Sequence, residues 1–334
     1  MTALQRAALL TSSVVVLVAC GASSPKQPGT ATAHPTSTPA ASAVGAGPTI
    51  GPTGCRLPIG NRGTSGSGGF VNLPAGTFTP DPHSRLTYDW ALSKWLPVPR
   101  TWVSPDGLRY AYPEYATDGG PASSTMHIVD VVTGADRALR LPAPSAPISF
   151  ANEGLYVGRV IPNSDSPPVG LALLNPESGR LRQIVSTGSW TLIEPPVAWG
   201  VDLDPSIDPP RWEGLGGGNR LRQLQLGSGD VVAALTMAGT NIELIGFDGR
   251  GAPVLGLTAG SSYRVGAFSA FSGLDEWFSG ATADDNPGGP MVGAGSEAWL
   301  SSGSDAIWQK SAGSPLRKIA TPPLQHPGVG GACK

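Results

Sequence analysis

The sequence predicts an all-β fold of repeated units, on three observations: a tight-turn signature recurring about every 44 residues, alternating strand patterns around it, and a cysteine at each end of the repeating region. The turns fall at Leu92-Ser93, Gly134, Ser178-Gly179, Ser228-Gly229, Ser272-Gly273 and Ala312-Gly313. A period of about 44 residues suits one four-stranded blade, so six turns predict a six-bladed β-propeller, with seven blades as the alternative. The expected units are 56–98, 99–144, 145–187, 188–236, 237–280 and 281–322.

The chain before these units has a different character. Residues 1–19 hold one basic residue, Arg6, followed by the uncharged run Ala7 to Ala19. That run is shorter than the ~20 residues a membrane span needs, so it reads as a secretory signal with a basic start and an apolar middle. The sequence Leu17-Val18-Ala19-Cys20-Gly21 resembles the lipobox of bacterial lipoproteins. The resemblance implies cleavage before Cys20 and attachment of acyl chains, such as palmitate, to that residue. Each buried methylene contributes about 0.8 kcal/mol, so several chains hold a protein on a membrane without a transmembrane helix. Residues 20–54 are then a linker of Gly, Ala, Ser, Thr and Pro, in which Lys26 is the only charged residue. Such a composition has nothing to bury, and a flexible tether is expected. The folded domain is expected over 55–334.

Cys55 and Cys333 bracket that domain. Export permits a disulfide, and a ring brings its termini together, so the two are expected to pair across the seam. The segment Cys55 to Ile59 and the tail Val329 to Cys333 are placed to meet there. Closing a loop of roughly 280 residues contributes on the order of 5 kcal/mol as an upper value.

The clearest unit runs from Trp102 through Ser104-Pro105-Asp106-Gly107 and Tyr110-Ala111-Tyr112 to Val129-Asp130-Val131-Val132-Thr133-Gly134. It resembles the TolB-like and WD-repeat-like propellers of exported bacterial proteins, and the resemblance implies architecture rather than activity. Asp106 and Gly107 are expected to build a turn. Trp102, Trp199 and Trp299 sit at related places in their units and are expected to pack one blade on the next.

Composition limits the function. With 22 basic against 24 acidic residues and no Lys or Arg block, the chain lacks the charge surplus that nucleic-acid binding requires. Signatures of serine hydrolases, P-loop proteins, zinc proteases and dinucleotide binders are absent, and the four His residues show no zinc-ligand spacing. Topology then carries the expectation. Gly turns between third and fourth strands should share one face, and the longer loops Ala75–Ser84, Ala116–Thr125, Ile161–Val169 and Asp204–Gly218 should share the other. Those loops carry the candidate binding residues Asp81, His83, Asp118, Asp165, Asp204, Asp208 and Trp212.

One loop has a second reading. Asp202, Asp204, Ser206 and Asp208 alternate, and Glu213 stands at the twelfth position, as in a calcium loop. Ile207 replaces the Gly that such a loop needs, so no cofactor is expected and calcium is the single weak candidate. The expectation is a lipid-anchored module on the outer side of a cytoplasmic or outer membrane, binding a protein or glycan partner without catalysis. Its rivals are a glycan hydrolase or lyase, which requires two carboxylates across a cavity, and a structural envelope component.

Overall fold

The computed structural model describes residues 54–62, 67–115, 124–161, 167–204, 206 and 218–334. The expected signal, Cys20 and nearly all of the linker lie outside them. Among the described residues the structure is β throughout, with one short 3-10 turn at Arg100–Trp102 and no helix long and apolar enough to cross a membrane. Trp102 therefore sits in that turn rather than in a strand, unlike Trp199 and Trp299, because Pro99 precedes it and Trp102 N–H donates to the Pro99 carbonyl.

Seven antiparallel sheets follow in chain order. Sheet 1 has β1 (Cys55–Asn61), β2 (Gly69–Leu73) and β3 (Thr77–Pro80); sheet 2 has only β4 (Thr87–Asp89) and β5 (Lys94–Leu96). Sheet 3 has β6 (Arg109–Tyr115), β7 (Ser124–Asp130) and β8 (Asp136–Leu141), with Val103 bridging to Tyr110 on its inner side. Sheet 4 comprises β9 (Ser145–Ala151), β10 (Gly154–Arg159), β11 (Val169–Leu174) and β12 (Leu181–Ser189). Sheet 5 comprises β13 (Leu192–Glu194), β14 (Val197–Asp202), β15 (Arg220–Gln225) and β16 (Val231–Thr236). Sheet 6 comprises β17 (Asn241–Phe247), β18 (Pro253–Ala259), β19 (Ser262–Ser269) and β20 (Gly273–Ala281). Sheet 7 comprises β21 (Pro287–Ala294), β22 (Glu297–Ser302), β23 (Ile307–Lys310) and β24 (Arg317–Ala320). The last strand, β25 (Pro327–Val329), returns to sheet 1 and pairs with β1, Ile59 opposite Val329.

The first expected unit, 56–98, thus divides into two sheets. The turn at Ser93 belongs to the two-stranded one. The segment Ala75–Ser84, expected as a loop, contains β3, whose backbone pairs with β2.

Side chains on the two faces of each sheet explain the stacking. Ala111, Met126 and Leu141 of sheet 3 pack on Phe150, Leu155 and Leu174 of sheet 4. Ile148, Tyr156 and Leu171 of sheet 4 pack on Trp190, Ala198 and Leu224 of the next. Trp199 and Leu221 then meet Ile242, Leu255 and Phe268, and Val254, Val265 and Trp277 meet Ala298 and Leu300. Trp299 and Ile307 of sheet 7 close on Leu57, Ile59 and Val71 of sheet 1. An aromatic group of Phe70, Tyr88, Trp90 and Trp95 joins sheets 1 and 2, and Leu96, Val98, Val103 and Val131 join sheets 2 and 3. Each sheet packs on the next and the last on the first. This cyclic face-to-face packing is a propeller-type arrangement.

The seam is doubly held. Cys55 and Cys333 form a disulfide with Cα atoms 5.6 Å apart, and Arg56 exchanges backbone hydrogen bonds with Lys334.

Chain direction sorts the loops. The last strand of one sheet runs antiparallel to its first, and short links such as Ser189 to Leu192 start each inner strand at the same end. The Gly turns and Cys55 therefore lie at one end, here the Cys55 end. The connections after β1, β6, β10 and β14 lie at the other, the Asn61 end.

Candidate functional site

Inner segments of the seven sheets enclose a channel of about 790 Å³. β17 and β21 contribute Gly246, Gly288, Gly289 and Gly293 to its wall. A side chain at Gly293 would come within 2.7 Å of the Phe247 carbonyl oxygen, so the close approach of these strands requires glycine there. Charge enters the channel at five residues: Arg62, Arg100, Glu194, Glu243 and Asp248, the last of which is paired with Arg250 at 3.0 Å. Arg100 is paired with Asp89 at 3.6 Å. Glu243 touches solvent through the channel but is crowded by protein, and this burial pushes its carboxyl above the usual range.

Beside the channel, the loop with the calcium-like spacing begins and ends on described residues. Arg220 opens β15 opposite Asp202 at the close of β14, in direct register. Its guanidinium donates to both oxygens of Asp202, at 2.7 and 3.0 Å, and to Asp204 at 3.0 Å, while Arg222 donates to Asp202 at 2.6 Å. Burial works against the charge of Asp202, but the bonds from Arg220 and then Arg222 outweigh it and hold the carboxyl low. The Ser206 hydroxyl and amide lower Asp204, with Arg220 adding to the effect. Asn219 also accepts the Asp204 N–H at 2.7 Å. Among the described residues, the carboxylates of Asp202 and Asp204 are thus paired with guanidinium groups. Asp208 and Glu213 lie outside the described residues.

Arg220→Met is expected to destabilise the fold by about 2 kcal/mol, between the values for surface and buried pairs. The Asp202 pKa is depressed in the fold, so the stabilisation from its pair with Arg220 is complete above the unfolded value near 3.8 and is lost as pH falls through the folded one. Chemical denaturation of both proteins should therefore show a gap that is widest near neutrality and narrows below about pH 4.

The other candidates are dispersed. Asp81 follows β3 and accepts the His83 amide and the Trp95 indole N–H, both at 2.9 Å. The His83 amide chiefly lowers its pKa. It shapes a turn, and His83 beside it is exposed. Asp118, Asp165 and Trp212 lie outside the described residues.

A cluster absent from the sequence expectations lies on sheet 3. Because sheet 2 has two strands, it leaves part of the facing side of sheet 3 uncovered. There the Tyr112 and His127 rings stack at 4.6 Å, and the imidazole contacts Asp136 at 2.9 Å and Glu114 at 3.1 Å. Burial disfavours its charge, but the bonds to Glu114 and Asp136 prevail and raise its pKa. The available signal was period-two alternation: Tyr112 and Glu114 on β6 and His127 on β7 share one face.

No family model matches the chain, and no curated protein matches it. Among solved structures it is similar to an oligogalacturonate lyase in complex with manganese, at 13% identity over 66% of this chain and 63% of that one, TM-score 0.46. It is also similar to TolB from Acinetobacter baumannii, at 12% identity over 84% and 67%, TM-score 0.42. A third is prolyl oligopeptidase B from Galerina marginata, at 11% identity over 67% and 33%, TM-score 0.45. The chain spans less than two thirds of the lyase and about a third of the oligopeptidase.

Proposed function

We propose that the protein is a lipid-anchored, extracytoplasmic β-propeller that binds a partner at its Asn61 end. In this reading sheets 1 and 3–7 are six blades and sheet 2 is a vestigial seventh. The observation that carries the proposal is polarity. The described chain enters at Gly54 and Cys55, at one end, whereas the connections carrying Asp118, Asp165, Asp208 and Trp212 leave strands at the opposite end. A tether anchored through Cys20 then leaves the end with the longer connections free. The hydrolase or lyase reading needs a protonated carboxyl beside an ionised one. Of the pair that reading would use, Asp204 is held ionised by Ser206 and Arg220, which supports the binding reading at that loop, and Asp118 lies outside the described residues.

Two measurements test this. Cys20→Ala should move the protein from the membrane to the soluble fraction; retention on the membrane removes the anchor. A photo-crosslinking residue at His83, at the Asn61 end, should give envelope adducts, and one at the exposed turn residue Phe271, at the Cys55 end, should not. Adducts from Phe271 alone reverse the proposed face.

A further inference from the structure

Strand β17 reads Asn-Ile-Glu-Leu-Ile-Gly-Phe, and its polar residues are out of keeping with an inner strand. Asn241 and Glu243 stand two residues apart on one face, about 6.7 Å along the strand. The Asn241 Oδ1 atom is buried with no hydrogen-bond partner. Among the described residues, Glu243 has neither an ion pair nor a hydrogen bond, and it is exposed towards the channel. Two acceptors thus lack donors at the start of β17, at the Asn61 end, with the Glu243 side chain in the channel.

The Tyr263 hydroxyl fills the space beside two glycines of this region. Glu243 is in register with Gly256, and Gly288 of β21 lines the same channel. A side chain at Gly256 or Gly288 would come within 2.8 or 2.6 Å of the Tyr263 hydroxyl oxygen. That hydroxyl already donates to the Pro287 carbonyl at 2.8 Å, so it supplies nothing to Glu243. Across the chain direction, Gly218 bridges Ile242 between the two polar residues. Among the described residues no group of three His, Cys, Asp or Glu is arranged to hold a metal ion.

We propose that Asn241 and Glu243, at the Asn61 end of the channel, bind a ligand through a primary ammonium or guanidinium group. A carboxylate and an amide oxygen without donors are met by a cation that carries several N–H groups. The partial desolvation that raises the Glu243 pKa also strengthens its pairing with such a group. Arg62 lines the same channel and Arg100 is committed to Asp89, so the ligand is cationic at one end rather than a polycation. The inference rests on the reading of the ring as a binding module, yet the two fail separately: loss of cation binding here leaves adducts at His83 unchanged.

Titration calorimetry of the purified protein tests it with arginine methyl ester and acetyl-Gly-Arg-Gly-amide. Each is compared with its citrulline counterpart, which keeps the shape and loses the charge. The arginine probes should bind at least about tenfold more tightly than the citrulline ones. Glu243→Gln should abolish that preference, and Asn241→Leu should weaken it. If the peptide binds better than the ester, the natural group is a side chain on a polypeptide; the opposite order indicates a small molecule, and either supports the site. Equal binding of arginine and citrulline probes, a preference that survives Glu243→Gln, or no binding at millimolar concentration overturns it.

An independent readout guards against misfolding. The Glu243 pKa is raised, so the native state holds its proton more tightly, and native stability falls as pH rises from the unfolded value towards the folded one. Glu243→Gln should therefore melt higher than the wild type at pH 7, with the gap closing near pH 4, while having lost cation recognition. An equal or lower melting temperature at pH 7 contradicts the unpaired state of Glu243 on which the site depends.

Discussion

Replacing both Cys55 and Cys333 by Ser should lower stability by up to about 5 kcal/mol, the chain-entropy value for so long a loop. For a domain of this size that corresponds to a fall in melting temperature of roughly 10–20 °C. The disulfide spans a sequence separation of 278 and lies beside the β1–β25 pairing, which has only the three registered pairs from Ile59 to Asn61. Without the covalent link, that short ladder, the Arg56–Lys334 backbone hydrogen bonds and the Trp299–Ile59–Val329 cluster resist opening of the seam. The check is thermal melting of the double variant and of the reduced wild type, which should coincide. If reduction leaves the wild-type melting temperature unchanged, the seam is held by packing alone.

Trp190→Ala should cost about 3–5 kcal/mol, as large-to-small changes of buried aromatics do. Trp190 is 1% exposed and sits between sheets 4 and 5, against Ile148, Tyr156 and Leu171 on one side and Ile193, Ala198 and Leu224 on the other. Its indole N–H donates to the Thr187 carbonyl at 3.0 Å, and the Arg222 guanidinium lies 5.3 Å from the ring. Truncation removes all three, and Gly200 and Gly188, which lean on the ring, cannot fill the space. Denaturant unfolding should show a lower midpoint with an unchanged slope. A loss under 1 kcal/mol would mean that the two sheets close over the cavity.

The repeat was legible because one backbone state imposes it. Gly134, Gly179, Gly229, Gly273 and Gly313 all take φ between 68 and 80°, in the left-handed region where glycine is favoured. Ser93 takes φ 49° without being glycine, and the spacing alone located it. The cysteine pairing was legible because a ring must close and only two cysteines bracket it. The division of residues 56–98 was not. β25 occupies the inner place of sheet 1, so β4 and β5 are left as a separate sheet, a consequence of pairing between residues some 270 apart.

The candidate site was less legible than the fold. Alternating Asp residues in the 202–208 segment suggested a metal loop, and the pairing of Asp202 with Arg220 across β14 and β15 was not visible, because spacing along one strand says nothing of the residue opposite. Glu243 left a trace in the sequence, a lone acid in an apolar strand. Its meaning depended on which sheet supplies no partner for it, and that is a property of packing.

Closure by β25 also sets an order of assembly. Sheets 4 to 7 are each formed by consecutive strands and can be completed as the chain emerges from a ribosome or a translocation pore. Sheet 1 cannot: β1 to β3 are made first and wait, with the inner edge of β1 unpaired, until residues 327–334 appear. Pairing of such distant partners is the slow kind of folding event, and an open strand edge is prone to pair with a neighbouring chain in the meantime. Shortening the chain by its last eight residues should thus be more damaging than their number suggests, since it leaves the earliest-made sheet permanently without its final strand.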